Sequence, residues 1–226
     1  MNRSKFLPSI GSRVGVLAAA CLLALALVSP AAGQATPVSV YNTFGGGMSY
    51  DVFSGFDVLG PGVDPFLTVD QTMGFVPSLS GVLSEITLAF EYVQGTNAVD
   101  MYLMTDAGGL PGSVLESWTF PAMTDPFFDP LITLTGDGTT TLLAGQPYWL
   151  VASAGAPDTR ALWLWGENGV DGPVGSRIDG GPWDISDFTQ GAFDVNVVVP
   201  EPATMALLAF GLVGAVAARR KTSRRG

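Results

Sequence analysis

Carboxylates are the reactive groups this sequence has in quantity. Aspartate and glutamate supply 20 of its 226 residues, histidine is absent, and the single cysteine, Cys21, lies inside an apolar N-terminal run. Without imidazole or an exported thiol, Ser-His-Asp and Cys-His catalysis fall away, and so do zinc sites built on those ligands. Two chemistries remain for acids alone. Glycoside hydrolysis needs a pair of carboxylates facing each other across a cleft, a separation that sequence does not reveal. Calcium needs several hard oxygen ligands converging from carboxylates and carbonyls. Asp137, Asp171, Asp179, Asp184 and Asp187 all stand in glycine-rich stretches, but none opens an Asp-x-Asp-x-Asp-Gly ladder. Ordinary turn-forming acids explain the same letters. We therefore assign no catalytic residue and no metal ligand, expect no enzyme and no cofactor, and keep a structural calcium ion as the one cofactor the composition permits.

A second group able to do chemistry is aromatic. Trp163, Trp165 and Trp183, with Phe188 and Tyr102, are candidates for a flat platform on which sugar rings stack. Trp163 and Trp165 are two apart and would share one face of a strand, so the core is the simpler place for them. Trp183 sits among Asp179-Gly180-Gly181-Pro182 and is the candidate glycan contact. Gly45-Gly46-Gly47 lacks a following Lys-Ser and a helical pattern, so it is no phosphate loop.

Charge narrows the partners. The net charge is −10, yet every acid lies between Asp51 and Glu201, while eight of the 10 basic residues sit in the two termini. Only Arg160 and Arg177 oppose 20 carboxylates in between. Such a surface repels nucleic acid and anionic lipid, so no nucleic-acid partner is expected.

These groups must be positioned by strands. Ten short β-branched or aromatic runs cover residues 38–44, 66–76, 82–92, 98–105, 114–120, 131–135, 139–143, 147–153, 161–165 and 192–199, with Gly, Asn, Asp and Pro turns between them. No sustained helical period appears between the two ends. The pattern predicts an all-β, antiparallel two-sheet sandwich, jelly-roll-like. Alternation puts Ile86, Leu88, Phe90 and Tyr92 on one face, and Asn97 is expected to close a hairpin with the run after it. Tyr148, Leu150 and Ala152 oppose Trp149, Val151 and Ser153; bulk on both sides suits a central strand. Ile86, Leu88, Phe90, Val151, Trp163 and Val195 are expected in the core. Residues 45–65 and 166–188 read as long surface loops. Turn and core signatures from Tyr41-Asn42-Thr43-Phe44 through Gly74-Phe75-Val76-Pro77, residues 105–116 and 143–150, to Trp163 resemble the choice-of-anchor extracellular β-domains, particularly the R type. That resemblance implies no activity.

The ends direct traffic. Arg3, Lys5 and Arg13 precede an uncharged run, 14–28, and small residues with cleavage expected after Gly33 or Ala35, which reads as a secretory signal peptide over 1–35; an uncleaved anchor is the rival. The exported β-domain occupies 36–198, flanked by this signal helix and by a C-terminal transmembrane helix. After Val199 come Pro200-Glu201-Pro202, an uncharged run over 203–218, and the basic cluster Arg219, Arg220, Lys221. The run is about 24 Å long as a helix, a little short for a hydrocarbon core of about 30 Å, a deficit that thinning and snorkelling cover. The basic cluster acts as a membrane stop and keeps its end in the cytoplasm.

Those three parts in order resemble the PEP-CTERM sorting signal of Gram-negative surface proteins. The resemblance implies a sorting motif at Pro200, Glu201 and Pro202, cleavage nearby by an exosortase, and an inner-membrane precursor that moves to the cell surface or extracellular matrix. It further implies company with exopolysaccharide. The expected function is an exosortase-processed surface or matrix protein with a non-catalytic structural or adhesive β-domain. The alternatives are a carbohydrate-binding module and, behind it, a carboxylate-dependent glycosidase.

Overall fold

The computed structural model describes residues 36–64 and 67–199. The signal peptide, the sorting motif Pro200-Glu201-Pro202, the run 203–218 and the basic cluster Arg219, Arg220, Lys221 lie outside the described residues, and so do both expected flanking helices.

The described chain is all strand: β1 (Pro37–Asn42), β2 (Tyr50–Leu59), β3 (Val69–Phe75), β4 (Gly81–Leu88), β5 (Phe90–Gln94), β6 (Val99–Asp106), β7 (Pro111–Phe120), β8 (Ile132–Thr135), β9 (Thr141–Leu142), β10 (Tyr148–Ala154), β11 (Arg160–Gly166), β12 (Asp171–Ile178), β13 (Asp184–Thr189) and β14 (Phe193–Val198). They form two antiparallel sheets. One runs β1-β14-β4-β8, with β9 also on β4; the other runs β5-β11-β2-β3-β10-β6-β7, with the β12–β13 hairpin attached through β12 to β3. Both inner faces feed one core. Ile86, Leu88, Phe193 and Val195 from the smaller sheet meet Met73, Phe75, Leu103, Leu150 and Trp163 from the larger. Aromatic rings join the layers: Phe193 lies 6.0 Å from both Phe75 and Trp163, and Trp163 lies 4.9 Å from Phe90. Such pairs add to the area they bury. The six residues expected in the core are all buried, and β10 lies between β3 and β6 with both faces covered from Tyr148 to Ala152, as its two bulky sets of side chains require.

Three expectations need correction. The supposed loop 45–65 contains β2, and the supposed loop 166–188 contains the β12–β13 hairpin. Their glycines and acids hid them, but those residues have a strand's use here. A Cβ on Gly55 would lie 2.6 Å from the Trp163 carbonyl oxygen, so glycine allows β2 and β11 to approach. Pro173 sits one residue before the β3 ladder begins at Val174, where its missing N–H breaks no bond to β3. The run 82–92 is two strands, broken at Ala89: β4 belongs to the smaller sheet and β5 crosses to the larger. Asn97 consequently closes no β5–β6 hairpin, because β5 pairs with β11. Its amide instead binds Ala122 twice, donating to the carbonyl at 2.9 Å and accepting from the N–H at 2.7 Å. The β6–β7 reversal is at Ala107–Leu110, where Ala107 N–H donates to the Leu110 carbonyl, and β7 starts at Pro111.

Candidate functional site

Alternation along the larger sheet sends a second set of side chains away from the core. Since Val99, Met101 and Leu103 point inward on β6, Asp100 and Tyr102 point outward, and Ser117 and Thr119 do the same on β7. A shallow hollow of about 160 Å³ is lined by Asp100, Tyr102, Ser117, Trp118 and Thr119. Asp100 is held there by the Thr119 hydroxyl, which donates at 2.5 Å. Across β10 the same face carries Asp70 on β3, opposite Arg177 on β12. Arg177 Nε donates to Asp70 Oδ2 at 2.6 Å, and its guanidinium stands 4.8 Å from the Trp183 ring centroid. Tyr102 feels this whole group. Burial raises its phenol pKa first, the Asp100 and Asp70 charges raise it further, and Arg177 pulls the other way. The outer face thus presents hydroxyls, two carboxylates, a guanidinium and two aromatic rings across β7, β6, β3 and β12.

The sequence-derived aromatic platform divides into three places. Trp163 is core, with Nε1 donating to the Ala192 carbonyl at 3.2 Å. Trp165 leaves the shared face at a register shift after Leu164 and packs against Phe56 and Phe188, at 5.8 and 5.7 Å. Trp183 is half-buried with one ring face under Arg177, so as a glycan contact it offers less ring than a bare loop tryptophan. Tyr102 and Trp183 come onto one surface through Arg177, whereas Phe188 joins the Trp165 group. Asp70, Asp100, Thr119 and Arg177 were not singled out by sequence. The outward phase of Asp70, Asp100 and Thr119 was readable in their runs, but Arg177 fell in the supposed loop 166–188, and the pairing that assembles the four was not readable.

The glycine-flanked acids are engaged in local bonds. Asp137 accepts from the Thr139 and Thr140 N–H groups and the Thr139 hydroxyl; the Thr139 N–H bond is the first cause of its lowered pKa. Asp179 accepts from Thr68 N–H at 2.7 Å, and Asp171 from the Thr189 hydroxyl at 3.0 Å. Asp184 and Asp187 lie on β13. Among the described residues no three His, Cys, Asp or Glu side chains converge as a metal site. Glu116 is buried; its Oε2 accepts from Asp137 N–H at 3.0 Å while Oε1 has no partner.

The other candidate region is where the described chain ends. β14 is paired on both sides to its last residue, Val198 facing Pro37 of β1 and Val82 of β4. Val199 packs partly buried against the core. The description of the PEP-CTERM protein-sorting motif matches residues 198–221, starting on that last strand residue. The chain carries a PEP-CTERM sorting signal. The motif makes exosortase the processing partner and implies a membrane-anchored precursor exported to the cell surface. No curated protein matches the chain. No helix among the described residues is long and apolar enough to cross a membrane.

Proposed function

We propose that this chain is an exosortase-processed surface or matrix protein whose β-domain is a non-catalytic structural or adhesive module working among exopolysaccharide. The observation that carries the reading is the PEP-CTERM motif beginning on the final strand, since it ties the domain to the export and sorting route. The outer face of the larger sheet is the surface we assign to glycan contact. Hydroxyl, carboxylate and guanidinium groups beside aromatic rings suit polyol recognition. The hollow is smaller than the roughly 300–1,000 Å³ of enclosed ligand sites, which favours lateral contact with a polymer over a closed catalytic cleft. No cofactor enters this reading.

The finer family assignment, a choice-of-anchor R domain with jelly-roll-like topology, is also our proposal. It is supported by the signatures from Tyr41 to Trp163. Two measurements test the function. Mass spectrometry of the native surface protein should find the tail beyond the tripeptide removed; an intact tail overturns the processing claim. A glycan array probed with residues 36–199, the stretch containing the whole core, should give binding that Tyr102→Ala reduces at least severalfold. Binding that ignores Tyr102→Ala but fails in Trp183→Ala would move the contact to the β12–β13 turn.

A further inference from the structure

The pole of the sandwich from which β14 leaves differs from the rest of the surface. Two loops close it: residues 76–80, joining β3 to β4, and residues 143–147, joining β9 to β10. They are bonded to each other, Gly145 N–H donating to the Pro77 carbonyl at 3.0 Å and Ala144 N–H to the Ser80 hydroxyl at 2.8 Å. They are also bonded to the flanking strands, through Ser78 N–H to the Val40 carbonyl at 2.9 Å and Leu143 N–H to the Tyr148 hydroxyl at 3.1 Å. Both loops abut the departing strand. A Cβ on Gly81 would lie 2.7 Å from the Val198 carbonyl oxygen, and Gly81 pairs with Leu142, the residue before Leu143. Because Thr105 pairs with Tyr148, the β6–β7 turn continues the same rim.

Leu79 and Leu143 are 48% and 53% exposed on these loops, with Val76 and Leu110 beside them. Charge is nearly missing. Between Asp51 and Asp194 the described residues hold 19 carboxylates and two arginines, yet apart from Asp171, which the β12–β3 register sets opposite Val76 at the flank and which accepts from the Thr189 hydroxyl, the segments forming this pole, 36–40, 76–82, 106–112, 141–148 and 196–199, contain one charged side chain, Asp106. That carboxylate is turned onto Trp149 Nε1–H at 2.8 Å and onto the Gly108 and Gly109 N–H groups. The opposite pole is built otherwise, with Phe53, Phe127 and Phe128 exposed beside Asp125 and Asp129.

We propose that in the anchored precursor the β14 pole lies against the bilayer, its exposed leucines seated in the interfacial layer. The proposal rests on the reading of 199–226 as a membrane-crossing sorting segment. Four residues, 199–202, separate β14 from the uncharged run at 203–218. Fully extended they reach about 14 Å, so the pole is held close to the lipid headgroups whatever else it does. An acidic domain pressed there would be repelled by anionic lipid, and a pole without free carboxylates removes that repulsion where the approach is closest. Exposed leucines then gain by leaving water. The occupant is thus a lipid surface rather than a second copy of this chain, because the four-residue tether holds the pole within about 14 Å of the bilayer and leaves no room for a second domain between them.

The test uses the full chain with Cys21→Ser, which leaves no cysteine, in vesicles of phosphatidylethanolamine and phosphatidylglycerol lacking exosortase. A polarity-sensitive dye is attached at Ala144→Cys or, on the opposite pole, at Phe128→Cys. Lipids carrying a quencher at headgroup depth should quench the first severalfold more than the second, and Leu79→Glu with Leu143→Glu should erase the difference. Flotation of the full chain beside one ending at Val199 separately reports the C-terminal anchor, since both keep the apolar run 14–28. A full chain that floats no better than the shortened one defeats the membrane-anchor reading beneath the proposal. A chain that floats with equal quenching at both positions overturns the proposal itself and leaves the pole to a protein partner.

Discussion

The outer sides of the two sheets differ more than their shared core would suggest. On the smaller sheet the outward residues of β1 and β14 bond to one another: the Ser39 hydroxyl donates to Asp194 at 2.5 Å and the Asn196 amide to the other Asp194 oxygen at 2.8 Å. On the larger sheet even the outward residues of β10 are covered, Trp149 and Val151 being buried, and around them stand the hollow, the Asp70–Arg177 pair and the stacked Trp183. One side therefore carries the strand that continues into the sorting signal, and the other carries the groups assigned to glycan contact in the proposed function. On that proposal, holding and recognition are separated by the thickness of the sandwich, which would let a module be anchored without obstructing its contact face.

If both sheets depend on one core, a change at their junction should unfold both together. Trp163 is fully buried and touches Phe90 from β5 and Phe193 from β14. Trp163→Ala should cost about 3–5 kcal/mol, seen as a lower denaturant midpoint in one cooperative transition. Trp165→Ala, at a half-buried position, should cost distinctly less. Two transitions instead of one would show that the sheets are separable, and the comparison would change its meaning.

Gly81→Val asks whether the anchoring side can be damaged alone. The new side chain would collide with Val197 and the Val198 carbonyl, and forcing it in should cost about 1–3 kcal/mol. Amide exchange should accelerate first in β14 and β4 and later in β6 and β10. Uniform acceleration would deny the smaller sheet any independence.

On the recognition side, Arg177→Ala removes the pair with Asp70 and the cation over Trp183. Both partners are partly exposed, so the stability cost should be only about 0–1 kcal/mol after solvent screening. Tryptophan fluorescence should nonetheless shift as Trp183 is uncovered, and glycan binding should change without a matching change in melting. A large loss of stability would mean that the outer face is structural before it is functional.

Much of the smaller sheet was legible because period-two patterns declare themselves when one face is wet. Ile86 and Leu88 against Glu85 and Thr87 is such a pattern, and it placed β4 correctly. Phe90 continued the alternation, but the chain changes sheets at Ala89, and no period records a change of partner. The larger sheet was legible where it is covered on both sides, as in Tyr148–Ser153, and illegible where strands are made of glycine, proline and acids. β2 and β12 are strands because of what lies beside them. The outer face of the larger sheet was hidden for a related reason: Asp70 and Arg177 are 107 positions apart, so their meeting is a property of sheet order.

The smallest effect concerns acid, and it bears on both sides at once. Asp137 serves the loop after β8 of the smaller sheet, and Asp106 serves the β6–β7 turn of the larger. Each has its pKa lowered, Asp137 chiefly by the Thr139 N–H and Asp106 chiefly by Trp149 Nε1–H. Asp129 and Asp158 are lowered as well, by Asp125 N–H and by the Thr96 hydroxyl respectively. A carboxylate whose folded pKa is depressed contributes stability that is present above its unfolded value and is lost as pH falls through its folded value. Glu91 has the opposite sign, raised by burial and then by Asp125, and favours the fold as it takes up its proton. Four groups against one predict a net loss of stability below the ordinary carboxylate range. All four are at the surface, so the slope should be shallow and should flatten further in salt. Melting curves between neutral pH and the acid end should show Asp106→Asn reducing the slope, because the asparagine cannot titrate while its carbonyl oxygen still accepts from Trp149. An unchanged slope in that variant would remove the β6–β7 turn from the acid response and leave Asp129, Asp137 and Asp158 to account for it.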